Sequence, residues 1–462
     1  MKHFIDRIDE LATLEKEYSH TGSSFVVIYG RRRVGKTALI TKFISDKPAV
    51  FYLASEESES NNRRVFKDKI ADFTGNTLLK NVSVDNWDIL FSEFINHTPD
   101  TKKILVIDEF QYLCKANRSF SSILQRVWET TLKDKNIFLI LCGSHMSMME
   151  SETLNYSSPL YGRRTAQILL RQIPFRYYSA FYPDRSEEEH CLFYSVTGGV
   201  PKYIEQFTDY TDIYNAIKEN ILDRNSFLYD EPNFLLRNEL GEVGTYYSII
   251  KTIAAGHRKL SKIAEHMEEK QSNISAYLQT LINLDILERE IPITENNPDK
   301  SKKGLYRIKD NYILFWFKFI YPNISLIESG HADAVLEQIR QNFVVNHAAH
   351  IYEDICQEKL RTINGSEKLG FLYNKIGRWW DNNHEIDLVA LNSIGKEILF
   401  GECKFRQQKM DIDVLEELIA KSTYVSWNRD DRIEKFILFS ISGYTDELIM
   451  NAKERGDVIL MS

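Results

Sequence analysis

The stretch Phe25-Val-Val-Ile-Tyr-Gly30-Arg-Arg-Arg-Val-Gly35-Lys36-Thr37-Ala38 decides the fold. Its first five residues read as a short buried strand, and the residues from Lys36 onward read as an apolar helical stretch. Between them stands Gly-x-x-x-x-Gly-Lys-Thr. In this pattern glycines let backbone N–H groups turn inward around phosphate oxygens, and the helix that follows adds the positive end of its dipole. Gly30, Arg31, Arg32, Arg33, Val34, Gly35 and Ala38 would form the cradle. Lys36 would reach the β- and γ-phosphates of ATP, and Thr37 would hold Mg²⁺.

Working outward, Ile104-Leu-Val-Ile-Asp108-Glu109 supplies a partner for this loop. Four apolar residues predict a central strand with two acids at its C-terminal edge. Asp108 would bind Mg²⁺ through water, and Glu109 would polarise the attacking water. Apolar runs at 50–53 and 137–142 alternate with amphipathic stretches, the pattern of a buried parallel sheet with helices on both faces. Ser144 follows the second of these runs and stands where it could sense a γ-phosphate; an ordinary turn explains it equally well. Arg163 and Arg164 could neutralise transition-state charge, in cis or from a neighbouring copy, or be ordinary surface arginines. Thr197-Gly-Gly-Val-Pro201-Lys202 opens a helix and could close over the nucleotide.

Taken together, Phe4-Ile-Asp-Arg7, the phosphate loop, Asp108-Glu109 and Gly199-Val-Pro201 resemble the archaeal-type ATPases of the AAA-like signal-transduction class, relatives of origin-recognition ATPases. The resemblance implies that Arg7 lies near the nucleotide and that Pro201 touches adenine. It covers residues 1–230.

Composition narrows the classes. The chain has 462 residues, 43% hydrophobic and 27% charged, which excludes a disordered, collagen-like or coiled-coil protein. Its net charge of −8 excludes a protein that coats nucleic acid along its whole surface. Any DNA-binding face must therefore be local. Five cysteines without a C-x-x-C pair point away from zinc knuckles and disulfides and toward a reducing, cytoplasmic setting. The most apolar stretch, 312–321, contains Lys318 and is too short to span a bilayer, so it reads as buried core rather than membrane.

Residues 244–310 read as three helices and a β-ribbon, the pattern of a winged helix-turn-helix. Ile274, Leu278, Leu281 and Leu284 form an inward stripe on the third helix, and Gln271, Ser272, Asn273 and Ser275 lie at its exposed start, where base-edge contacts are made. The ribbon, 287–293 against 305–308, carries Lys300, Lys302 and Lys303 near its tip. Between His257 and Lys309 ten basic residues face eight acidic ones, so DNA contact and a protein-docking or structural role both stand.

From about residue 335 a new unit begins: a helix at 346–360, strands at 378–380, 385–391 and 397–405, and a helix near 411–421. Residues two apart in a strand share a face, so Glu402 and Lys404 point together, and an antiparallel neighbour would bring Asp387 to Glu402. Carboxylates so placed suit Mg²⁺ or Mn²⁺, the lysine could polarise water beside a phosphate, and Glu353 on the helix could add a third acid. Arg378-Trp-Trp380 reads as strand packing, with base stacking the lesser alternative. This D-x₁₄-E-x-K arrangement resembles the PD-(D/E)xK nucleases. The resemblance implies Asp387, Glu402 and Glu353 as metal ligands and Lys404 as the catalytic lysine, or a nuclease fold without activity. The order of parts also resembles a family with an archaeal-type ATPase, a winged helix and an uncharacterised C-terminal domain.

The sequence thus predicts an α/β multidomain chain. Residues 1–170 form a P-loop AAA-like parallel sheet, 171–240 a helical lid, 241–330 a winged helix and 331–462 an αβββα nuclease-like domain. Its expected partners are ATP, DNA, possible protein partners and a second copy of itself.

Overall fold

The computed structural model describes residues 4–240 and 243–462. The chain divides into two compact units: residues 1–173 with Val200–Lys202, and residues 174–199 with 203–462.

The first unit is built on five strands: β1 (Ser24–Tyr29), β2 (Ala49–Leu53), β3 (Lys103–Asp108), β4 (Ile137–Gly143) and β5 (Ala166–Leu169), in the order β2-β3-β4-β1-β5. Every pairing is parallel. The central strands are buried on both faces, which is why they read as unbroken apolar runs. Alternate residues go to opposite sides. Val26 and Ile28 pack with Leu39, Ile40 and Phe43 on one face. Phe25 and Val27 join Phe66, Phe91 and Leu124 on the other. Burying each such side chain contributes about 1.5–3 kcal/mol before chain entropy is counted.

The second unit begins with helices. Glu187–Thr197 is capped by a reciprocal Ser186/Glu189 box. It is held to later elements by Asn311 Nδ2 donating to the Tyr194 carbonyl at 3.0 Å and by His347 Nε2 at 2.7 Å from the Ser195 carbonyl. Of residues 171–240, expected as a helical lid, 174–199 and 203–240 fall in the second unit, and 171–173 with Val200–Lys202 in the first. The apolar stretch near 312–321 is buried core: Tyr312, Ile313, Phe315 and Trp316 are all inaccessible. No described helix is long and apolar enough to cross a membrane.

Helices Gly244–Ala254, Leu260–His266 and Gln271–Asn283 lead into a two-stranded antiparallel ribbon, β6 (Leu287–Glu290) and β7 (Leu305–Ile308). The ribbon's first strand is shorter than expected. Past Pro292, the Ile293 N–H turns away from β7 and donates to the Arg378 carbonyl instead. The last part is a mixed sheet ordered β12-β11-β10-β9-β8, comprising β8 (Lys375–Trp380), β9 (Glu385–Asn392), β10 (Glu397–Lys404), β11 (Ile433–Ser440) and β12 (Val458–Met461). β8, β9 and β10 pair antiparallel, whereas β11 and β12 add in parallel. These last two strands lie beyond the elements expected from the sequence. Helix Ala349–Thr362 precedes the sheet, and helix Ile412–Ser422 connects β10 to β11.

Candidate nucleotide site and carboxylate–lysine site

The phosphate loop leaves β1 through Gly30, where a Cβ would meet the Leu170 carbonyl oxygen at 2.3 Å, so no larger residue fits. Gly35 has φ +99°, and its side-chain direction faces Pro201 Cγ at 4.0 Å, which sets Pro201 against the loop. Lys36 Nζ donates to the Gly30 and Arg31 carbonyls, both at 2.8 Å, and lies within the turn. Thr37 Oγ1 donates to Asp108 Oδ2 at 3.0 Å, while the Glu109 N–H holds Oδ1 at 2.9 Å. A hydroxyl and a carboxylate, both hard oxygen donors, are thus already paired as Mg²⁺ ligands would be. These two would hold the ion, which would neutralise phosphate charge.

Glu109 adopts the left-handed region at φ +53°, an unusual conformation for a residue with a side chain. Its carboxylate accepts from Ser144 Oγ at 2.7 Å, from the Ser144 N–H at 3.2 Å and from Gln111 Nε2. This meeting depends on strand order. β4 lies between β1 and β3, with Tyr29 opposite Gly143, so the tip of β4 stands between the loop and the acids. Gln111 is a site residue the sequence reading missed. Its signal was a polar side chain opening the apolar helix Gln111–Ala116, where it is 2% exposed. It also fills the space beside Gly143, where a Cβ would lie 2.4 Å from its Oε1.

Arg7 is buried. Its Nη2 donates to the Val34 carbonyl at 2.8 Å and to the Arg171 carbonyl at 2.7 Å, and Glu10 pairs with Nη1 at 3.3 Å. It fastens the loop to the segment after β5. Burial lowers its pKa, and Glu10 opposes that shift. Arg32 reaches the Tyr112 hydroxyl at 3.2 Å, and Arg33 sits at φ +70°. Arg163 pairs with Glu129 at 3.0 Å, and Arg164 lies over the Tyr161 ring at 5.8 Å, so these contacts tie both to other parts of the unit rather than to the loop. Ala38 is exposed in the first turn of its helix.

In the second unit, the β9–β10 register pairs Gly401 with Leu388 and so brings Asp387 to the end of the sheet beside Glu402. The Cys403 N–H donates to Asp387 Oδ2 at 2.9 Å. Between Trp379↔Ile386 and Gly377↔Val389, β9 carries one residue more than β8. This β-bulge at 387–388 re-aims Asp387, as bulges do beside active sites. Glu402, 4% exposed, pairs with Lys404 at 2.7 Å and Lys421 at 3.6 Å. Burial, then the charges of Glu353 and Glu402, push the Asp387 carboxyl well above the usual carboxylate range; the Cys403 N–H and Lys404 pull the other way. Burial works against the Lys404 ammonium, but Glu402 and Asp387 outweigh it and raise its pKa. Lys404 is therefore a cation, suited to neutralising phosphate charge rather than to abstracting a proton.

The expected three-carboxylate metal set is not assembled. Among the described residues no three His, Cys, Asp or Glu side chains are gathered to hold a metal. The reason is local. Glu353 pairs with Arg378 at 2.7 Å, and Arg378 also holds Glu290 of the ribbon at 2.9 Å and Asp354 at 3.1 Å. Arg307 of the ribbon binds both Asp354 oxygens and Glu290. Arg258 adds a bond to Glu290 at 2.5 Å. Burial of Asp354 would raise its pKa, but Arg307 and Arg378 outweigh this and hold the carboxyl below its usual range. These groups line a cavity of about 220 Å³ that also contains Asp387. Gln271, Ser272, Asn273 and Ser275 are exposed on the third helix, as are Lys300, Lys302 and Lys303 at the ribbon tip; Lys303 pairs with Glu295 at 2.6 Å.

Comparison with known proteins matches this arrangement. Residues 4–207 fit the family described as "ATPase domain predominantly from Archaea", and 316–415 fit "Archaea bacterial proteins of unknown function". The uncharacterized protein MJECL04 of Methanocaldococcus jannaschii is 37% identical over 464 residues, covering 99% of this chain and 98% of that protein. The chain belongs to this family of archaeal-type ATPases. The fold of the archaeal ATPase is similar to that of the Walker-type ATPase PABY2304 of Pyrococcus abyssi, with a TM-score of 0.52 and 19% identity over 68% of this chain and 96% of that one. The loop, the Thr37–Asp108 pair and the five-stranded parallel sheet are thus those of an ATP-binding, ATPase-type domain.

Proposed function

We propose that this archaeal ATPase uses the ATP cycle of its first unit to control nucleic-acid processing by its second. The division into ATPase core, helical segment 171–240, winged helix and nuclease-like end belongs to this reading. Three helices and a ribbon in order support the winged helix, and the isolated antiparallel bridge between Lys259 and Leu305 adds a third strand position to the ribbon. DNA is the partner this module suits, through the third-helix start and the ribbon lysines. A helix, three antiparallel strands and a helix support the nuclease-like reading of the C-terminal part.

The observation that carries the proposal is the convergence of Asp387, Glu402 and Lys404, with Glu353 close enough to raise Asp387. Asp387 and Glu402 would hold Mg²⁺ or Mn²⁺, which would supply a polarised water. Lys404 would hold the scissile phosphate. Assays with each metal, with and without ATP, on single-stranded, duplex and branched DNA and on RNA test this. Lys404→Ala should abolish cleavage and leave ATP hydrolysis intact.

A second reading has its own observation. Glu353 is paired with Arg378, and Glu402 lies between two lysines, with Lys404 on Oε1 at 2.7 Å and Lys421 3.6 Å from Oε2. That arrangement favours an ATP-controlled DNA- or protein-binding switch with an inactive nuclease-like domain. Absence of cleavage on every substrate, with retained salt-sensitive DNA binding, would select it.

A further inference from the structure

We propose that the cleft between the ribbon tip and the end of β8 is a groove for single-stranded nucleic acid, with Tyr424 and Trp380 as stacking platforms. Its direction toward Asp387 rests on the nuclease-like reading above.

The cleft encloses about 680 Å³, with Lys300 and Lys302 on one wall and Trp379, Trp380 and Tyr424 on the other. Tyr424 is 54% exposed, yet its ring is fixed: it stacks on His384 at 3.8 Å with 12° between the planes. A large aromatic ring held flat at the surface offers a face to another π-system. Trp380 is half-buried, and its indole N–H has no acceptor among the described residues. A buried donor left this way suits a ligand oxygen or base edge. The charges in the cleft also sort in favour of an anion. Lys303 neutralises Glu295, and Asp381, held as an anion by the Asn383 and His384 N–H groups and the His384 ring, still leaves Lys300 and Lys302 in excess by one charge. Lys300 and Lys302 have no carboxylate within ion-pair distance among the described residues.

Position ties the groove to the carboxylates. Trp379 and Trp380 also wall the inner cavity that holds Asp387. Trp380 pairs with Glu385, two residues before Asp387 on β9. Two residues of strand rise ~7 Å, the scale of one step along an extended polynucleotide. A base stacked at Trp380 would therefore set the neighbouring phosphate near Asp387. Stacking on side-chain rings requires exposed base faces, which a single strand offers and a duplex hides.

The test uses the full chain with EDTA present, so that binding is read without cleavage. Fluorescein-labelled oligothymidine and a hairpin duplex of equal length are titrated by anisotropy at low salt. Oligothymidine should bind at least about tenfold tighter than the duplex. Tyr424→Ala should weaken it about tenfold, and Tyr424→Phe should retain binding. Lys300→Glu with Lys302→Glu should weaken binding and flatten its salt dependence. Far-ultraviolet circular dichroism and thermal unfolding of each variant, compared with the unaltered chain, serve as the folding check. Equal affinity for duplex, a Tyr424→Ala effect within twofold, or equal competition by an acidic peptide would overturn the groove. Cleavage with added Mn²⁺ is read separately. Oligothymidine bound but uncut counts against the nuclease and leaves the groove standing. Cleavage with these variants unimpaired counts against the groove and leaves the nuclease standing.

Discussion

Ser144→Ala tests whether strand order sets the chemistry of the ATP site. The hydroxyl donates to Glu109 Oε2 at 2.7 Å, a distance typical of an O–H bond to a charged oxygen. The change leaves the Ser144 N–H and Gln111 still bound to the same carboxylate. A hydrogen bond to a charged group is worth about 1.5–3 kcal/mol, and two remaining donors place the loss at the lower end. Expressed as a barrier, about 1.4 kcal/mol is tenfold in rate. Steady-state phosphate release should therefore show kcat down about tenfold. Binding of a fluorescent ATP analogue should change by less than twofold, since Lys36 and Thr37 are untouched. The cavity left by one oxygen is small, so thermal stability should hold within a few degrees. A kcat within twofold of the unaltered protein, measured at saturating ATP and Mg²⁺, would refute the assignment of Glu109 as the water-orienting acid held by the tip of β4.

Four further substitutions have outcomes set by the geometry. Lys36→Ala should abolish ATP binding by calorimetry, and Thr37→Ala should retain binding while weakening its Mg²⁺ dependence, because Thr37 and Asp108 share one oxygen contact. Arg378→Met removes one cation from a network that includes Glu353, Asp354 and Glu290; chemical denaturation of the second unit should show a loss of about 3–5 kcal/mol, whereas Mn²⁺ affinity at Asp387 and Glu402 should rise as Glu353 is released. Burial, against the bond to the Ser195 carbonyl, pushes the His347 pKa down to about 3, from 6.5. The unfolded chain then binds the extra proton first, so stability is full above pH about 6.5 and falls as pH drops toward 3, by at most about 1.4 kcal/mol per unit. His347→Gln should flatten that slope in denaturant titrations between pH 6.5 and 4; an unchanged slope would refute the buried neutral imidazole.

The Asp387 shift makes a related demand on any metal chemistry. Its carboxyl is raised, so the native state holds its proton to higher pH and loses stability as pH rises through that raised pKa. Metal binding must expel that proton. Mn²⁺ affinity should therefore climb with pH beyond the ordinary carboxylate range.

Much of the ATP site was legible because it is local. Gly30 to Thr37 form one continuous turn, and Asp108-Glu109 end one apolar strand; spacing along the chain fixes which groups lie side by side. The E-x-K alternation on β10 was legible for the same reason, since period two places Glu402 and Lys404 on one face. Ser144 stood only as one of two even readings, because nothing in its own segment says that β4 inserts between β1 and β3. Gln111 was missed because its partners, Glu109 and Ser144, meet only when that order is set. The ribbon was read too long because its alternation continues to Ile293, while the competing acceptor at Arg378 lies 85 residues later.

What the sequence by itself determined is the chemistry available: a phosphate loop, two acids after an apolar strand, and a D-x₁₄-E-x-K pattern. What only the tertiary structure decided is the company these groups keep. Arg7 fastens the loop through the Val34 and Arg171 carbonyls, Ser144 steadies Glu109, a bulge re-aims Asp387, and Arg378 claims Glu353. The physical reason is range. Turn geometry and strand alternation act over a few residues and are written in order along the chain, whereas ion pairs and strand insertion depend on distant segments whose charges and edges compete for the same partners.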